Sequence, residues 1–199
     1  MRGLYRKDYW FFLAGTANAA MVNKADKLKF RSMSGIKEVP LKKAVIIISK
    51  ANIEDVYTGL IMAKGAVMEG IEVKLFFTFF GLDAIAKKRM DKLHTATVGN
   101  PGMRMPNGWR VPTLLGALPG VEACMSAKMK KRMSELDILP VDELLDMITA
   151  GGGEVYACRQ SAAMFKLTMD DLNENVKAII PVGDLYAMSG GEGTQIIFT

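Results

Sequence analysis

From Pro40 onward the chain alternates between unbroken apolar runs and segments whose apolar residues recur every three or four positions. Lys42-Lys43 lead into Ala44-Val45-Ile46-Ile47-Ile48, a β-branched run that predicts a strand buried on both faces. Asn52 then stands where it can cap a helix. The first turn carries Glu54 and Asp55, Val56, Leu60, Ala63 and Val67 follow at helical spacing, and Gly70 closes it. Ile71 to Phe80 returns to strand composition, so the unit is strand, helix, strand, and its crossover is expected to be right-handed. A short helix is predicted from Leu82 to Leu93, and a longer amphipathic one over Glu122 to Leu136. In the longer helix Val121, Met125, Met129 and Met133 recur every four residues and are expected to face the core. Pro140 opens the helix Val141 to Ala150, which Gly151-Gly152-Gly153 stops.

Glu154 to Cys158 reads as a strand, Arg159 to Lys166 as a short helix, and Thr168 with Asp171 as the capped start of a further helix reaching Asn173. Val176 to Ile180 and Thr194 to Thr199 supply two more strands, separated by a glycine-containing stretch from Gly183 to Gly193 that is expected to be a flexible turn near its end. The prediction is an α/β fold: one doubly wound domain, residues 42–199, with a mostly parallel five-stranded sheet flanked by helices, preceded by an N-terminal arm, residues 1–41. Thr95 to Gly120 holds four prolines and five glycines but also Met103, Met105, Trp109, Leu114 and Leu115. It is therefore expected to be an ordered loop acting as a lid or a subunit contact.

Composition narrows the function classes. The 26 basic and 21 acidic side chains leave a net charge of +5, which favours small anions or an acidic partner surface. The basic clusters Lys87 to Arg89 and Lys128 to Arg132 interrupt apolar helical patterns without interleaved aromatics, so they read as solvated helix faces and no nucleic-acid partner is expected. Tyr9 to Val22 is apolar behind a basic start, yet Asp8 opens it, Gly15, Thr16 and Asn18 dilute it, and it is too short to span a bilayer; a cytoplasmic protein with no membrane span is expected. A single histidine, His94, and the lack of CxxC or HExxH motifs remove the usual zinc donor sets, so neither metal nor cofactor is expected.

The remaining chemistry lies in two cysteines. Cys158 falls at the carboxyl end of a predicted parallel strand, where ligands collect in open α/β sheets. A helix starting at Arg159 would turn its free N–H groups toward the sulfur, with Arg159, Gln160 and Ser161 placed to bind an anion there. The competing reading is a small buried hydrophobe, and the residues alone leave the two open. Cys124 lies in the methionine-striped helix and reads first as packing; a second role, as a redox partner of Cys158, also stays open. His94 reads as a surface or capping residue.

In its order of parts the chain resembles the DsrE/DsrF/DsrH-like sulfur-relay family, in particular its peroxiredoxin-like DsrE branch. The parts are the strand Ala44 to Ile48, the glycine and proline loop, the methionine-rich helix, Pro140-Val141 opening the next helix, and Tyr156-Ala157-Cys158 after a triple glycine. The resemblance implies a sulfur carrier or sulfurtransferase, a homo-oligomer that takes sulfane sulfur or thiosulfate onto Cys158 and passes it to a partner protein. Its implied partners are sulfur donor and acceptor proteins and small sulfane-sulfur anions. A thiol redox protein using Cys158 with Cys124, or a non-catalytic interaction subunit, are the alternatives.

Overall fold

In a computed structural model, residues 40–98 and 118–199 are described; the expected N-terminal arm and most of the glycine and proline loop lie outside them. Five strands form the sheet: β1 (Lys43–Ile48), β2 (Glu72–Phe77), β3 (Glu154–Cys158), β4 (Val176–Ile180) and β5 (Thr194–Phe198). All neighbouring pairs are parallel, in the order β4-β3-β2-β1-β5. The helices are α1 (Ile53–Met68), α2 (Val121–Glu135), α3 (Val141–Ala150), α4 (Arg159–Met164) and α5 (Val182–Ser189).

The topology follows from handedness. From β1 to β4 the chain steps one way across the sheet, and the side chains of α1, α3 and α4 join Ile46, Leu75, Phe77, Val155 and Ala157 in one buried cluster on the first face. The step from β4 to β5 reverses direction, so a right-handed crossover must pass over the opposite face. There Leu185 of α5 packs with Val45, Phe76, Tyr156, Cys158 and Ile180. This double winding is the predicted fold class, and it divides the sheet into a thickly covered face and a second face on which α5 is the one described helix.

Two predicted elements take another form. The helix expected from Leu82 to Leu93 is instead a 3₁₀ helix, Phe79–Ala84, and a single 3₁₀ turn, Met90–Lys92. Gly81 explains the tight geometry: its N–H donates to Ser49 O at 3.0 Å, and a Cβ there would lie 2.2 Å from Ile48 O, so the chain is pressed against the end of β1. The helix expected after Thr168 is likewise one 3₁₀ turn, Met169–Asp171, closed by a reciprocal capping box between Thr168 and Asp171. The stretch between Gly183 and Gly193, for which only a flexible turn near its end was expected, contains most of α5. The methionine stripe of α2 is half-buried, with Met129 and Met133 packed on the core, and Ser126 is the helix's buried residue. Asn52 occupies the N-cap of α1 without a side-chain cap; its Nδ2 donates to Glu54 Oε2 at 3.3 Å.

Candidate thiol site at the end of the third strand

Residues alternate across a strand, so Glu154, Tyr156 and Cys158 share the face covered by α5. The register pairs Phe77 with Ala157, which sets Thr78, one residue beyond β2, beside Cys158. After Cys158 the chain turns directly into α4, and the cysteine occupies that helix's N-cap position. Three segments therefore meet at the sulfur: the end of β3, the first turn of α4, and the end of β2.

The residues alone leave open whether this thiol stands at the sheet rim or is packed as a small hydrophobe, and the structure buries it. Cys158 is 4% exposed, because α5 lays Leu185 over Phe76, Tyr156 and Ile180 around it. Burial pushes the thiol pKa up, and this is the largest single influence on it. The backbone N–H and hydroxyl of Ser161, the Thr78 hydroxyl and the Gln160 N–H together outweigh it, so the net direction is down. The two hydroxyls are themselves ordered. Ser161 Oγ lies 3.1 Å from Thr78 Oγ1 and accepts from the Phe79 N–H at 2.9 Å. The site thus sets neutral polar groups beside one sulfur in an otherwise apolar wall, and their effect favours an anion on that atom.

Of the residues singled out in the sequence, Ser161 and Gln160 are brought to the sulfur. Ser161 is buried at 2% exposure, while Gln160 is exposed and its Oε1 accepts from Cys158 Sγ at 3.6 Å. Arg159 is exposed on the first turn of α4, and its charge is not among the leading influences on the thiol. Thr78 was not legible, since only the pairing of β2 with β3 makes it a neighbour. Cys124 is exposed on α2, and both cysteines are free. His94 is also exposed; its Nδ1 lies 3.7 Å from Glu122 Oε1, and its carbonyl accepts from the Ile53 N–H at the start of α1. Two cavities, of about 430 and 370 Å³, lie among α1, α2, the connection from α2 into α3 and the segment Asp83–Ala96, and neither includes Cys158. Among the described residues no group of three or more His, Cys, Asp or Glu could hold a metal ion, and no helix is long and apolar enough to cross a membrane.

The side chain in contact with the sulfur from the solvent side is the exposed Gln160. Because Gln160 carries the amide that touches Sγ, Gln160→Ala is expected to raise the rate of Cys158 alkylation by iodoacetamide about threefold to tenfold without lowering the melting temperature. Alkylation at or below the wild-type rate would show that access runs elsewhere.

At the other end of β3, on the same face, Glu154 accepts hydrogen bonds from Lys177, Lys74 and Tyr156, and Lys74 also pairs with Glu72 at 3.0 Å. These bonds, that from Lys177 foremost, lower the Glu154 pKa to about 2. A depressed carboxyl pKa adds stability above the unfolded value near 4.5, and that stability is lost as the pH falls toward about 2. Glu154→Gln is expected to cost about 1–2 kcal/mol at pH 7 after allowing for solvent screening, with the gap between the two proteins closing in urea unfolding only as the pH reaches about 2. A deficit that stays constant with pH would mean the carboxylate's charge is not what stabilises the face.

Residues 40–189 match the model of the DsrE/DsrF/DrsH-like family. Among curated proteins the chain is 34% identical, over 139 residues, to the sulfur carrier protein DsrE2 of Allochromatium vinosum, covering 68% of this chain and 86% of that one. Among solved structures it is similar to the ychN protein from E. coli, at 14% identity and a TM-score of 0.47, over 79% of this chain and 99% of that one.

Proposed function

The chain belongs to the DsrE/DsrF/DrsH-like family, and on that premise we propose that it is a sulfur carrier that loads Cys158 with sulfane sulfur or a thiosulfonate group and hands it to a partner protein. The observation that carries the reading is a buried thiol at the N-cap of α4 with Ser161, Thr78 and Gln160 beside it, groups that hold its pKa below the usual value against the pull of its apolar surroundings. The likeness to a protein named as a sulfur carrier supports the same role.

The chemistry is displacement at sulfur. The Cys158 thiolate attacks a sulfane sulfur of a polysulfide, an S–S bond forms as the donor's S–S bond breaks, and the shortened donor leaves with the electron pair. With tetrathionate, attack on an inner sulfur releases thiosulfate and leaves an S-thiosulfonate on the cysteine. The Ser161 and Gln160 N–H groups and the two hydroxyls hold the charge before loading and take it back when Sγ leaves again. Arg159, exposed at the start of α4, draws incoming anions toward the site. In this reading the protein works in the cytoplasm as a homo-oligomer, exchanging sulfur with donor and acceptor proteins.

The test is intact-protein mass spectrometry after incubation with polysulfide or tetrathionate at neutral pH, followed by peptide mapping. The expected result is a dithiothreitol-reversible mass gain located on Cys158. A wild-type protein that stays unmodified at Cys158 with both donors would remove the reading.

A further inference from the structure

Resting on the carrier reading, we infer that Gly81 is a positioning residue for sulfur loading on Cys158. A glycine at this position lets the turn Thr78–Gly81 seat on the end of β1, and the seated turn holds the Thr78 hydroxyl and the Phe79 N–H against Ser161 beside the sulfur. One carbonyl joins the two halves of this statement. Ile48 O, at the end of β1, accepts from the Thr78 N–H at 2.9 Å, which fixes the residue whose hydroxyl lies 3.1 Å from Ser161 Oγ. The same oxygen is what a side chain at position 81 would strike: a Cβ there would stand 2.2 Å from Ile48 O and 2.8 Å from its carbonyl carbon. These are backbone atoms of a strand held between β2 and β5, so they cannot swing aside as the tip of a side chain can. The Gly81 N–H completes the seat, donating to Ser49 O at 3.0 Å and to Thr78 O at 2.9 Å.

The turn holds an unfavourable conformation at the residue that reaches Ser161. Phe79 takes φ 46°, a left-handed backbone that an aromatic residue seldom adopts, and its side chain is exposed, so burial of the ring does not offset the strain. What the backbone gains there is a hydrogen bond from the Phe79 N–H to Ser161 Oγ at 2.9 Å. Because the Ser161 oxygen accepts from Phe79, its own proton is left for Sγ or for Thr78 Oγ1. Ser161 is buried, so solvent has little share in turning that hydroxyl elsewhere. Both hydroxyls favour the thiolate of Cys158. One of them, and the N–H that orients the other, ride on the turn. Lifting the turn off β1 therefore draws Thr78 away and withdraws the Phe79 bond from Ser161, while β3 and α4 keep Cys158 and Gln160 in place.

The experiment follows Cys158 alkylation by iodoacetamide against pH in the full chain carrying Cys124→Ser, so that one thiol is read. Rates are taken relative to each protein's own high-pH plateau, which removes differences in access. Gly81→Ala is set beside Gly59→Ala, because a Cβ at Gly59 would meet the Ile48 side chain, 2.6 Å from Cδ1, and not its carbonyl. Gly59→Ala thus perturbs packing at the same residue of β1 and leaves the turn seated. On the acid side of both titrations Gly81→Ala is expected to alkylate about fivefold to tenfold more slowly than the parent. Gly59→Ala is expected to keep the parent's profile even where urea unfolding shows it less stable. Phe79→Pro suits the extended Thr78 backbone but removes the N–H and the left-handed φ. It is expected to shift the profile in the same direction as Gly81→Ala, and it decides the matter alone if Gly81→Ala does not fold. A folded Gly81→Ala or Phe79→Pro protein that titrates with the parent, or a Gly59→Ala protein that shifts as far as Gly81→Ala, would overturn the inference. Loading from tetrathionate is measured on the parent alongside. If the alkylation profiles differ as expected yet Cys158 takes up no thiosulfonate, Gly81 still positions the thiol and the carrier reading fails instead.

Discussion

Cys158→Ser is expected to abolish covalent sulfur loading and all transfer that depends on it, a complete loss rather than a graded one. Serine is nearly isosteric and keeps the N-cap position of α4, so the fold should survive. A hydroxyl oxygen cannot form the S–S bond on which the cargo is carried. The comparison has to be made in a Cys124→Ser background, because Cys124 is exposed on α2 and an exposed thiol can pick up polysulfide adventitiously. Cys124→Ser alone should load Cys158 at the wild-type rate and pass sulfur on unimpaired. If Cys124→Ser instead stops transfer while loading persists, the second thiol is a relay partner. Loading that persists in the double variant would mean that the sulfur is held by another group.

The face carrying this thiol shows how far the sequence could be followed. Uniform local patterns were readable: the run through Ile46 and Ile48 is a strand, Val141–Ala150 is a helix, and Glu154–Cys158 ends at the cysteine, all as expected. The element that changes the site, α5, was hidden. Its eight residues contain Gly183, and Gly190, Gly191 and Gly193 follow it, so breaker composition masked the spacing of Val182, Leu185 and Met188. A proline just before a first turn that carries Asp184 was the available signal.

Without α5 the choice between a rim thiol and a buried one stayed open, and the folded chain buries it beside Ser161, Thr78 and Gln160. The long-range part was out of reach for a different reason. Thr78 becomes a neighbour of Cys158 only through the alignment of Phe77 with Ala157, two residues 80 positions apart, and nothing local encodes that pairing. The same limit applies to Phe79, whose left-handed backbone follows from Gly81 being pressed against β1 rather than from its own preference.

Removing both hydroxyls with Thr78→Val and Ser161→Ala is expected to slow loading of Cys158 at neutral pH by about tenfold or more, with the deficit shrinking as the pH rises. Burial pushes the thiol pKa up and the donors bring it below its usual value, so losing two of the donors raises it. Each unit of that rise costs about a factor of ten in thiolate at a pH below both values. Above both values the two proteins hold the same thiolate and their rates should meet, the variant's more basic sulfur being slightly the better nucleophile.

The pH dependence separates this role from a structural one. Ser161 Oγ also accepts from the Phe79 N–H, so its loss leaves a partly buried donor unsatisfied and is expected to cost about 1–2 kcal/mol of stability, read separately by urea unfolding. If the hydroxyls only held the turn in place, the variant would load at a fixed fraction of the wild-type rate at every pH. A deficit confined to the lower pH range assigns them to the sulfur, and a deficit that does not change with pH would return them to the scaffold.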